Sequence, residues 1–327
     1  MGRRHAGPSA ILGPSMTTPT LAVPTGGSRS RRRLLTAAAF VLPALLVYSV
    51  FVVIPIIQAV YYSAFKWNGM TPLTDFVGFA NYERALTDPD FHSALIHNAI
   101  FVILSLGLQI PASLGLALIL NGRFRGRAWF RLIFFAPYVL SEVITAAVWQ
   151  LLLMPDSLVD QTLEGLGLGA LGQLWLADRS VVLFTMFVVI SWKYFGFHMI
   201  LMLAGLQGIP RELEEAAAID GASRRQSIQS ITIPLLGPTL RVSVFLSIIG
   251  ALQLFDLIWV MTGGGPANAS NTMATYLFDW GFRRFQLGYG SAVAVILFAI
   301  SLVIALGYQR WVLRRDTDGA ITMPAGG

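Results

Sequence analysis

Apolar residues gather in six long blocks, at roughly 34–61, 95–120, 128–153, 181–206, 235–261 and 288–312. Each block is long enough to cross about 30 Å of hydrocarbon as a helix. The pattern predicts an all-α polytopic membrane protein with six transmembrane helices and both termini on one side. Pro43, Pro55, Pro111 and Pro137 fall inside the blocks. They predict kinks, because neighbouring helices can satisfy the carbonyls that a proline frees.

The polar segments between the blocks define the rest of the organisation. Residues 1–33 are rich in Gly, Pro, Ser, Thr and Arg and are expected to form a disordered tail. A start at Met16 would remove the first 15 residues. Arg31-Arg32-Arg33 before an apolar run resembles a signal peptide, but the run is too long and lacks a small-x-small cleavage site. An uncleaved first span is the reading that remains. Residues 313–327 form a C-terminal tail.

The longest charged segment of the second half runs from Ile209 to Pro238, with the 209–234 loop at its heart. Pro210 suits a first helical position, and Glu212, Glu214 and Glu215 favour the positive end of a helix dipole. Asp220-Gly221 signals a turn. Ser223 with Gln226 three residues on reads as a capping box for a second short helix. A helix-turn-helix outside the membrane is therefore predicted, with small residues (Ala216, Ala217, Ala218, Ala222) where a partner can approach closely.

Composition agrees with the block pattern. The 327 residues are 55% hydrophobic and 12% charged, against about a quarter charged in a soluble domain. Mean hydropathy is +0.65 and the pI is near 9.9. The basic excess is topological. The tails, Arg241 and segments 121–131 and 208–234 hold 17 arginines against six acids, while the opposite loops hold five cations against nine acids. Both termini and the 209–234 loop are therefore expected in the cytoplasm of a multi-pass protein of the cell membrane. No basic cluster with interleaved aromatics suggests nucleic acid, and NGRFRGRAWFR at 121–131 reads as an anchor at the lipid headgroups.

Catalytic and cofactor chemistry find no support. Both lysines precede aromatics (Lys66-Trp67 and Lys193-Tyr194), so no P-loop exists and the chain is not expected to hydrolyse ATP itself. There is no cysteine, no HExxH and no GxSxG, so no metal, cofactor or covalent catalyst is expected.

Two motifs carry a family resemblance. Glu215-Ala216-Ala217, then Gly221, then Ile231-Thr232-Ile233-Pro234 resembles the EAA motif of ABC-importer permeases, with Ile233 where Leu is usual. Gln253-Leu254-Phe255-Asp256, Val260 to Pro266 (VMTGGGP) and Tyr289-Gly290-Ser291-Ala292 look like sugar-importer permeases of the MalF/UgpA type. The resemblance covers residues 34–312 as a six-span permease domain. It implies two permease subunits, an ATP-binding subunit dimer and an extracytoplasmic sugar-binding protein, working in membrane lipid. It implies that Glu215, Ala216, Ala217, Asp220 and Gly221 couple to the ATPase. The solute would be a sugar, a di- or oligosaccharide; glycerol-3-phosphate or another small polar solute is the alternative. A secondary transporter driven by an ion gradient is the rival from another class, although the spans offer only Glu142 and Asp256 as proton carriers.

Polar groups within spans cost a few kcal/mol unless paired or facing water. Ser191, Trp192, Lys193, Tyr194, Ser247, Gln253 and Asp256 are candidates for a sugar path, since sugars need hydroxyl or amide partners beside an aromatic plate. Helical spacing puts Ser247 and Gln253 about 240° apart, so both cannot face one narrow path. For each candidate, and for His198, bonding between helices is the competing role.

Overall fold

The computed structural model describes Gly2, residues 27–122 and residues 124–313. The disordered-tail expectation for residues 1 and 3–26, and the tail from 314 onward, lie outside the described residues. Residues 1–55 and 56–327 form two compact units. In the first, helix starts at Gly27, seven residues before the apolar block; arginine is a good helix former, so an established span extends readily through Arg31–Arg33.

Helices dominate the described residues, and Phe65–Phe76 is an isolated antiparallel bridge. We number them α1 (Thr36–Tyr62), α2 (Ala80–Thr87), α3 (Pro89–Leu120), α4 (Arg127–Val139), α5 (Glu142–Leu152) and α6 (Leu158–Gly165). There follow α7 (Val182–Gln207), α8 (Arg211–Ile219), α9 (Arg224–Leu235), α10 (Gly237–Leu252), α11 (Asp256–Thr262), α12 (Met273–Phe278) and α13 (Leu287–Leu313). Of these, α1, α3, α7 and α13 are each long and apolar enough to cross a membrane. Two more crossings arise if α4 with α5, bent by 99°, and α9 with α10, bent by 67°, each count as one.

Two predicted spans therefore differ from the straight blocks. The 128–153 block breaks at Leu140 and Ser141, both extended, and Ser141 caps α5 by accepting from the Ile144 N–H at 3.2 Å. The 235–261 block ends as helix at Leu252 and resumes at Asp256 as the short α11. Other helices satisfy the carbonyls near both breaks. Lys193 Nζ donates to the Leu140 carbonyl. Asn98 Nδ2 donates to Ala251 at 2.7 Å, and Thr272 Oγ1 to Leu254 at 2.7 Å. A membrane interior supplies no water for these groups, so the breaks persist only where such donors reach them.

Prolines act more gently elsewhere. The π-turns Ser49–Val53, Ser105–Gln109 and Ile228–Thr232 each end two residues before a proline (Pro55, Pro111, Pro234). Proline lacks the N–H that would bond four residues back, and the helix widens to a π-turn there.

Three apolar clusters hold the second unit together. One joins the second half of α3 to the C-terminal half of α7 through Ile110, Ala117, Met199 and Met202. A second packs α5, the start of α7, and α11 around Met186, Leu257 and Ile258. The third gathers α2, α12 and the ends of α3 and α13 around Phe91, Tyr276 and Tyr289. The α4–α7 contact depends on Gly196, where a Cβ would lie 1.9 Å from the Phe134 carbonyl oxygen.

Candidate transport cavity and coupling helix

A cavity lies between α3, α4, α7 and α10. The π-turn of α3 places Ser105 and Gln109 on its wall. Ser105 Oγ donates to Gln109 Oε1 and lies 2.7 Å from Ser247 Oγ. Gln109 is only 4% exposed, and its Nε2 has no hydrogen-bond partner among the described residues. His198 also lines the cavity, its Nδ1 2.7 Å from Ser243 Oγ on α10. Aromatic rings complete the wall. Tyr138 stacks on Phe197 at 4.8 Å between centroids and meets Tyr194 edge-on at 6.0 Å.

The seven predicted path residues separate clearly. Tyr194 and Ser247 line this cavity. Tyr194 also donates its hydroxyl to Glu142 at the start of α5. Lys193 is turned away, buried, with its ammonium on the Leu140 carbonyl. Ser191 Oγ is buried with no partner among the described residues, and Trp192, 41% exposed, packs edge-on against Trp149. Gln253 caps the C-terminus of α10 and Asp256 starts α11; both are exposed and neither lines the cavity. Gln109, Ser105 and Tyr138 were missed by sequence reasoning. The available signal was a glutamine inside an apolar block two residues before Pro111.

At the other end of α7 the predicted helix-turn-helix is present. Pro210 stands one residue before α8 rather than at its first position. Gly221 has φ +83°, a value that favours glycine, and Ser223 with Gln226 forms the capping box. No residue of α8 is buried. Glu215, Ala216 and Asp220 are exposed, Ala217 is half-buried, and Ile219 beside the turn is 87% exposed. Ile219 escaped the sequence reading; an isoleucine just before Asp-Gly is its only mark. Thr232 Oγ1 donates to Glu214 Oε1 at 3.2 Å, tying α8 to the C-terminal part of α9, just before its bend into α10. Four of the nine residues of α8 are charged and none of the nine is buried, so little holds this helix within its own chain.

A family model described as "Binding-protein-dependent transport system inner membrane component" matches residues 109–316. The chain belongs to this family. Relatives agree along most of their length. The trehalose/maltose transport system permease MalF of Thermococcus litoralis is 35% identical over 271 residues, covering 83% of this chain and 91% of that protein. The diacetylchitobiose uptake system permease NgcF of Streptomyces coelicolor is 34% identical over 297 residues, covering 85% and 84%. A probable ABC transporter permease of Bacillus subtilis, YurN, is 35% identical over 271 residues, covering 82% and 92%. The same fold occurs in the crystal structure of a bacterial ABC transporter involved in import of the acidic polysaccharide alginate. That match has a TM-score of 0.77 at 24% identity and covers 88% of this chain and 98% of that one. Family membership makes the chain a membrane component of a transport system and accounts for the helical fold.

Proposed function

We propose that this chain is one permease subunit of an ABC importer that carries a di- or oligosaccharide across the cytoplasmic membrane. The carrying observation is the cavity. Gln109 Nε2, buried and without a partner among the described residues, lines it with Ser105, Ser247, His198 and the Tyr138 and Tyr194 rings. A buried amide without a partner loses about 1–3 kcal/mol, and a sugar hydroxyl entering the cavity returns that bond. Aromatic faces suit the weakly apolar faces of a pyranose ring. The names of the trehalose/maltose and diacetylchitobiose relatives point to the same solute class.

Coupling is assigned to α8 and the Gly221 turn. Glu215 offers a charge and Ile219 an apolar tip to a separate ATP-binding subunit, while Ala216 and Ala217 allow close approach. Closure of the ATPase dimer would move α8, and the Thr232–Glu214 bond carries that motion towards α10, whose Ser247 lines the cavity. The helix is a two-state lever. A second permease subunit completes the path, and both termini and α8 face the cytoplasm.

Sugar-stimulated ATPase and uptake in the reconstituted complex test the cavity. Gln109→Ala and Tyr194→Phe differ usefully. Gln109→Ala removes a sugar contact and should raise the half-saturating sugar concentration about tenfold, equivalent to one hydrogen bond. Tyr194→Phe keeps the ring and should cost less. Wild-type uptake and substrate preference in both Gln109→Ala and Tyr194→Ala would place the path elsewhere.

A further inference from the structure

Among the described residues, no arginine, lysine, aspartate or glutamate lines the cavity between α3, α4, α7 and α10. Phe101, Phe187, Ile190, Leu246 and Leu254 make up much of its apolar wall, and hydroxyls, the Gln109 amide and the His198 ring supply the polar part. His198 shares its Nδ1 with the Ser243 hydroxyl at 2.7 Å and bonds no carboxylate among the described residues.

An anionic solute entering such a site needs a cation or a free helix N-terminus, because a buried charge without a partner costs far more than a buried hydroxyl. Both are already engaged here. The one cation of α7 is Lys193. Its ammonium donates to the Leu140 carbonyl, 5.7 Å from the centre of the Tyr194 ring, and it does not line the cavity. The N-terminus of α5 is capped by Ser141, which accepts from the Ile144 N–H at 3.2 Å, and Glu142 occupies its first turn.

One charge does reach the wall through a lining side chain, and it is negative. Tyr194 lines the cavity and donates its hydroxyl to the Glu142 carboxylate. Glu142 is half-buried and forms no ion pair among the described residues. A carboxylate behind a lining hydroxyl, in surroundings poor in water, repels an anion over several ångströms with little screening.

We infer that the cavity admits uncharged sugars and rejects acidic ones, with Glu142, acting through Tyr194, setting this charge selection. The inference rests on the import reading above and narrows its solute class. It sets aside glycerol-3-phosphate and sugars bearing a carboxylate, whereas neutral hydroxyls still meet Gln109, Ser105 and Ser247. Glu142 touches no solute; it is a positioning residue that holds the Tyr194 hydroxyl and contributes the field behind it.

Matched pairs test this in the full complex in nanodiscs, without binding protein, so that the cavity alone selects. Maltitol is paired with maltobionate and lactitol with lactobionate, each pair differing by a CH₂OH group against a carboxylate. Saturation-transfer NMR reads the weak binding. In wild type the neutral member should bind at least about tenfold more tightly than its acid. Glu142→Gln keeps an acceptor for the Tyr194 hydroxyl and should narrow the gap to about threefold, while Glu142→Asp keeps the charge and should keep the gap. An acid that binds wild type within about twofold of its neutral partner overturns the charge selection and leaves import standing. A gap that Glu142→Gln leaves unchanged overturns it equally. A wild type in which neither neutral sugar shows transfer that Gln109→Ala weakens removes the cavity reading itself.

Discussion

Lys193 and Tyr194 are neighbours with different work, because successive helical residues point about 100° apart. Tyr194 faces the cavity, and Lys193 faces the break between α4 and α5. The sequence displayed both as polar residues within a span but could not say which way either turned. Register follows from packing, here fixed by Gly196 against Phe134. Gln109 was illegible for a related reason. Its position on the wall depends on a π-turn that shifts register within α3, and an ideal helical wheel does not contain that shift. Lys193→Met keeps the length of the side chain and removes the donor to Leu140. It should lower the stability of the purified complex by about 1–3 kcal/mol, the cost of a buried carbonyl left unpaired. Thermal unfolding in detergent measures this. Substrate preference should stay at wild type; an altered preference would return Lys193 to the solute path.

At the level of elements, apolar block length located the long apolar helices and turn chemistry located the helix-turn-helix of the 209–234 loop. The Ser223–Gln226 box and the Gly221 turn were readable because each is a local interaction spanning a few residues. The two breaks were not. Ser141-Glu142 is a cap signal, yet it lies in a run whose hydrophobicity favours one continuous helix. Its partner Lys193 is 53 residues away. At α10, the donors Asn98 and Thr272 come from two other segments. Non-local donors decide such breaks, and no short window contains them. The proposed coupling role of α8 gives its own prediction. Gly221→Pro fixes φ near −65° where the chain holds +83°, and should leave the protein inserted while separating ATP hydrolysis from uptake. Glu215→Ala should weaken the same coupling with less disturbance to the turn. Normal uptake by both variants at normal expression would remove α8 from the coupling role.

For the whole molecule, the orientation rests on charge: arginines crowd the tails and the 209–234 loop, and acids outnumber bases in the opposite loops. The chain has no cysteine, so introduced ones can be labelled singly. Met70→Cys, at a position 75% exposed, should react with an impermeant maleimide added outside intact cells. Arg225→Cys should react only after permeabilisation, and the reverse pattern would invert the topology. The fold and the family were legible because both depend on long blocks and on a motif of fixed spacing. The solute's exact identity was not, since a cavity wall of hydroxyls, an amide and aromatic rings fits many sugars. What separates an ABC permease from an ion-driven carrier is the energy source. The most direct measurement is therefore sugar uptake into proteoliposomes holding the full complex, with ATP inside the nucleotide-binding compartment and an ionophore present. We predict that uptake requires ATP and is unchanged by the ionophore; uptake that ignores ATP and collapses with the ionophore would contradict this account.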